Sequence, residues 1–200
     1  MDRALILRVA PSGESFLKLD ILSPELGGFL CLKRISKKNP QQSKPDLFDT
    51  ADIQLDTSKQ GTAKFVREYS LVHRRETIGA SYQSLKHASE FAALLARNAP
   101  HMAEPEELYE LAERSFDAFA DKKAPEVVHL KAVYLLLKNE GYPIREAWWP
   151  QLEKSLKEIA KETINSPAPE TVDKETREVI EATLQNLYRW LEHETDLALR

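Results

Sequence analysis

Apolar and polar positions alternate along the first 77 residues, then change to a helical period. Leu17, Leu19 and Ile21 alternate with Lys18, Asp20 and Leu22, and Ala51, Ile53 and Leu55 with Asp52, Gln54 and Asp56. Successive strand side chains point to opposite faces, so this pattern buries one face and wets the other. RALILRVA, GFLCLKRI and AKFVREYSLVH supply three further strands. The turn segments PSGES, SPELGG, the basic stretch LKRISKKNPQQSKP and TSKQGT separate the five. Five short strands in about 75 residues predict a small closed barrel or a sandwich.

After residue 77 the spacing predicts helices. Tyr82, Leu85, Ala88, Phe91, Ala92 and Leu95 form an i, i+3, i+4 stripe. A second helix opens at Pro105 with acids in its first turn and carries Leu108, Leu111, Ala112, Ser115, Phe116 and Phe119. A third runs to Gly141, a glycine placed for a left-handed cap. Its apolar residues Val127, Leu130, Val133, Tyr134, Leu136 and Leu137 wrap much of the helix, which places it at the centre of a bundle. WWPQLEKSLKEIAKE predicts a fourth helix with Pro150 in its first turn. Beyond the proline-rich NSPAPET, Val179, Ile180, Thr183, Leu184, Leu187 and Leu191 mark a closing helix. The reading is α+β, with a barrel over residues 1–77 and an all-α domain over 78–200.

Composition narrows the class. At 42% apolar and 30% charged residues the chain reads as an ordinary globular protein. No apolar run reaches the ~20 residues of a membrane span, and the N-terminus lacks a signal-peptide pattern, so a cytoplasmic protein is expected. The single cysteine, Cys31, cannot form an internal disulfide. Charge is uneven: residues 1–77 hold 13 Lys/Arg and 10 Asp/Glu, against 15 and 22 in the rest of a chain of net charge -4. A basic front half and an acidic back half suggest two roles on one chain.

Catalytic chemistry is not predicted. Phosphate-binding loops, dinucleotide fingerprints and nucleophile elbows are absent from the sequence, and only 6 glycines are present. The five histidines are scattered and none forms a two-histidine helical pair, so no metal, cofactor or enzyme activity is expected. Cys31, among apolar strand residues, reads as a core residue. Trp148, Trp149, Tyr188 and Trp190 read as helical core, or alternatively as anchors of a partner groove in which Arg145 or Arg189 receives an acidic peptide end. The basic stretch is the distinctive feature. Lysines leaving a barrel strand can grip a phosphate backbone, with Phe16, Phe29, Phe48 or Phe65 stacking bases where exposed. The bland reading is a solvated loop that keeps a sheet edge soluble.

LILRVAPSGESFLKLDILSPELGGFLCLKR resembles the start of RecO, a bacterial recombinational repair protein. Gly13, Glu14 and Ser15 match its first turn, and Ser23, Glu25 and Gly27 its second. Residues 33–44 stand where the family has a basic loop, without that loop's glycine. LLLKNEGYPI is similar to the segment ending a central helix of the family. The four zinc cysteines that many members carry next are replaced here by REAWWPQLEKS, so no zinc module is implied.

The resemblance implies an N-terminal five-stranded OB-fold barrel followed by a helical domain, with strand annealing and recombinase loading as the activity. It implies as partners single-stranded DNA, duplex DNA as a second form, RecR, and the acidic tail of single-stranded DNA-binding protein, in a bacterial, nucleoid-associated setting. Lys33, Arg34, Lys37, Lys38 and Lys44 are then backbone contacts, joined by Arg8, Arg67, Arg74 and Arg75. The alternative is an interaction adaptor whose barrel has lost DNA binding.

Overall fold

Alternation becomes five strands: β1 (Asp2–Ser12), β2 (Phe16–Ser23), β3 (Gly27–Arg34), β4 (Thr50–Thr57) and β5 (Lys64–His73). The computed structural model describes residues 1–35, 44–57 and 63–199. The strands close into a barrel of order β1-β2-β3-β5-β4, antiparallel throughout except for the parallel contact of β3 with β5. That order and the one parallel seam make it an OB-like barrel, and with the helices that follow the chain is α+β.

The interior is filled from every strand. Ala4 and Ile6, Leu19 and Ile21, Cys31, Ala51 and Ile53, and Val66 and Tyr69 form one apolar cluster. Closure is reinforced where Ile6 N–H donates to Asp49 O and Phe48 N–H to Ile6 O, both at 2.9 Å. The expected wet face of β2 is correct only in part. Leu22, paired with Gly28 of β3, is fully buried, as is Leu5 opposite it on β1. The outer side is covered there: a Cβ on Gly28 would stand 2.5 Å from Ala99 Cβ.

The chain divides into two compact units. One comprises Met1–Arg75 with Ala92–Glu110, the other Glu76–Phe91 with Leu111–Arg200. The α-helices are α1 (Tyr82–Asn98), α2 (Pro105–Ala120), α3 (Pro125–Asn139), α4 (Lys154–Asn165) and α5 (Lys174–Glu194).

Ten of the fifteen α3 residues are buried, and the helix packs against α4 and α5, in keeping with its all-round apolar surface. Gly141 ends it at φ 78°, with Tyr142 N–H returning to Leu137 O at 2.9 Å. Asp173 caps α5 by accepting from Thr176 N–H at 2.8 Å.

Two helical expectations are corrected. Tyr82 and Leu85 point to solvent, because the buried face of α1 runs instead through Ser84, His87, Ala88 and Phe91. Pro150 belongs to a separate 3-10 turn, Trp149–Gln151. Leu152 is then extended, so α4 starts only at Lys154. No helix among the described residues is long and apolar enough to cross a membrane.

Candidate nucleic-acid interface

Strand alternation sorts the expected phosphate contacts into different environments. Lys33 and Arg34 are neighbours at the end of β3. Cys31 and Lys33 face inward, and Leu32 and Arg34 outward. Lys33 is 5% exposed, with its Nζ 5.6 Å from the Tyr69 ring centroid, and burial lowers its pKa. It is therefore no surface phosphate contact.

Arg75 is also buried. It donates to Phe48 O at 2.7 Å and Thr50 Oγ1 at 3.0 Å, bracing the turn that enters β4. Arg74 is held by Asp49, donating from Nη2 at 2.7 Å and Nε at 2.9 Å, and by the Lys44 carbonyl at 2.8 Å. The carboxylate raises its pKa further. Arg8 is half exposed but paired across the β1–β2 ladder with Asp20. Lys44, Arg34 and Arg67 are exposed. Lys37 and Lys38 lie outside the described residues.

Arg34 and the half-buried Lys18 fall on a face with aromatic rings. In the β2–β3 ladder Phe16 is opposite Arg34 and Lys18 opposite Leu32, while Leu32 is opposite Phe65 across the parallel seam. Since Leu17, Leu19, Cys31 and Val66 pack inward, these residues face outward, and Arg67, at the register shift between Val66 and Glu68, is exposed near them. The rings of Phe16 and Phe65, both partly exposed, meet edge to face with centroids 6.1 Å apart. Lys18, Arg34 and Arg67 pair with no carboxylate among the described residues. Asp56, opposite Phe65 on β4, and the exposed Glu68 beside Arg67 are acidic neighbours.

Lys18 lies outside the basic stretch, and its position two residues from Phe16 on one strand is the sequence signal that places it on this face. The other two aromatics are not platforms. Phe48 is buried, and Phe29 packs on the barrel core beneath Lys64 Nζ, which is 3.9 Å from its ring centroid. Cys31 is a core residue, its thiol pKa pushed up to about 12 by burial first and by the Asp20 charge next.

In the helical unit, Trp148 and Trp190 are buried, and Trp148 Nε1–H donates to Asn186 Oδ1 at 2.8 Å. Trp149 instead lines a groove of about 620 Å³ with Leu135 and Ile164. Lys138, Arg145, Lys157 and Lys161 also line it, against the single acid Glu158. An apolar floor edged by four cations suits a short acidic segment with an apolar end. Arg145 is one of the two arginines expected there; Arg189 lines a different cleft with Lys86 and Glu181. No family model matches the chain, and no curated protein matches it.

Proposed function

We propose that this chain is a non-enzymatic DNA-binding mediator of recombinational repair, of the RecO type, acting in the bacterial cytoplasm at the nucleoid. The observation that carries the reading is the outward barrel face on which Phe16 and Phe65 lie with Lys18 and Arg34, near the exposed Arg67. Aromatic rings offer sequence-tolerant stacking to unpaired bases, and arginine and lysine displace counterions from phosphates. No bond is made or broken in such binding, which suits annealing and recombinase loading in concert with RecR.

The cationic groove of the helical unit supports a partner with an acidic, apolar-ended tail, the chemistry of the single-stranded DNA-binding protein tail. The burial of Lys33 and Arg75 and the pairing of Arg8 and Arg74 favour the adaptor as the second reading, because two of nine expected contacts are buried and two more are engaged by carboxylates.

Fluorescence anisotropy with labelled single-stranded DNA separates the two. Three phosphate contacts give a log–log salt slope of about −2, shallower than the roughly −3.5 expected of five loop cations. Charge reversal at Lys18, Arg34 and Arg67 together should flatten the slope and weaken binding to every sequence alike. Affinity unchanged by that triple variant would overturn the DNA reading. Retention of tail-peptide binding in the same variant would then leave the adaptor.

A further inference from the structure

Two histidines 42 positions apart in the chain meet inside the helical unit. His87 on α1 and His129 on α3 bring their Nδ1 atoms to 3.0 Å. Glu90, nearly one turn after His87, places a carboxylate oxygen 3.7 Å from His129 Nδ1. One ligand atom from each of the three residues lies within 4.8 Å of the others. Behind the pair, His129 Nε2 is 2.9 Å from the Tyr188 hydroxyl on α5.

A hydrogen bond between the two Nδ1 atoms fits their 3.0 Å separation but gives the Glu90 carboxylate beside them no role. A neutral imidazole has one N–H and one lone pair. If His87 Nδ1–H donates, its Nε2 is left as a buried acceptor with no donor. If His129 Nδ1–H donates instead, His87 Nε2 is left as a buried donor with no acceptor. His87 Nε2 is buried without a hydrogen-bond partner in either tautomer, and it stays so with Nδ1 bound to an ion, so the placement of the two Nδ1 atoms and the Glu90 carboxylate is what decides.

The geometry agrees with a shared cation. Two nitrogens at Zn–N distances around a tetrahedral ion lie about 3.3 Å apart, near the separation found. Tyr188 accepting from His129 Nε2–H would fix the tautomer that leaves the Nδ1 lone pair for an ion, as outer partners of metal-bound histidines do. Glu90, half exposed, supplies negative charge on the open side. Lys86 opposes a cation there, and Glu181 across the same cleft offsets it.

We propose that His87 Nδ1, His129 Nδ1 and the Glu90 carboxylate bind a divalent transition metal of the zinc class, with the remaining coordination position open to the cleft lined by Glu181, Gln185 and Arg189. Two imidazoles and one carboxylate suit zinc, cobalt or nickel rather than magnesium or calcium. This site stands apart from the barrel face and does not depend on the DNA reading.

The test is cobalt titration of the full chain after chelator treatment and dialysis. The expected result is the visible absorption of low-symmetry cobalt(II), saturating at one equivalent and displaced by zinc. Glu90→Gln, at a half-exposed position that leaves the fold intact, should weaken binding at least about tenfold, and Tyr188→Phe roughly 10–100-fold. His101→Ala and His193→Ala, outside the cluster, should bind as the parent does. A folded protein, verified by circular dichroism, that gives no cobalt band and no calorimetric zinc binding overturns the proposal. So does binding indifferent to Glu90→Gln, or lost in His101→Ala or His193→Ala.

Discussion

Lys33 directs its ammonium toward the Tyr69 ring, 5.6 Å from the centroid, while Arg34 beside it in β3 is exposed. One step along a strand thus separates a barrel residue from a surface cation. Lys33→Met keeps the length of the side chain and removes a desolvated charge. Its loss of a cation–π contact, about 0.5–2 kcal/mol, is offset by relief of burial, so stability should change by no more than about 1 kcal/mol. Single-stranded DNA affinity and its salt slope should not move. Arg34→Ala should leave the melting temperature alone and make the slope shallower by about 0.7. The opposite pattern in paired denaturation and anisotropy measurements would reverse the two assignments.

Asp49 is the polar anchor of the barrel. It is fully buried and accepts from Tyr69 Oη at 2.8 Å, from Arg74 twice, and from Asp46 N–H at 2.9 Å. Asp49→Ala would strand a tyrosine hydroxyl and a guanidinium, at a cost of about 3–5 kcal/mol. The exposed Arg3–Asp52 pair at 2.7 Å is the comparison, and Arg3→Ala should cost less than about 1 kcal/mol. Urea denaturation of the two variants checks the ranking; equal losses would show that burial of Asp49 does not set its contribution.

The parts legible in the sequence were those governed by local period. Alternation along β2 and β4 and the all-round apolar surface of α3 predicted element types and a central helix. Alternation also contained the separation of Lys33 from Arg34 and the pairing of Phe16 with Lys18 on one face. A charge count over the basic stretch obscured both. The burial of Leu22 could not be read, because the outer side of the sheet beside it, at Gly28, lies against Ala99, far along the chain. The Asp49 network spans 20 and 25 positions, to Tyr69 and Arg74, and the His87–His129 pair spans 42. Such contacts are set by barrel closure and helix packing, which leave no periodic trace.

Gly28 tests that covering contact. A Cβ there would lie 2.5 Å from Ala99 Cβ and 2.6 Å from the Ala99 carbonyl carbon, so backbone has to move. Gly28→Ala should destabilise by about 1–3 kcal/mol. Gly79, with nothing within 4 Å of an added Cβ, is the control. Gly79→Ala should be neutral or stabilise by up to about 1 kcal/mol through the unfolded chain. Similar midpoints for both variants in thermal melts would remove the tight approach at Gly28.

The two buried histidines should make chelator-treated protein acid-sensitive. Burial first, and the Lys86 charge second, hold His87 down to about 4. His129 is held well below its ordinary range by burial, then by His87 and Lys86. In the unfolded chain both take up protons near pH 6.5, while the folded state resists until His87 titrates near 4. The unfolded state binds more protons between these values, so stability is intact above about pH 6.5 and falls as pH drops toward 4. For His87 the full loss is on the order of 3 kcal/mol. Melting temperatures from about pH 7 to pH 4.5 should therefore decline, and His87→Gln should flatten the decline. A parent profile as flat as that of the variant would mean that His87 already carries its proton in the folded protein.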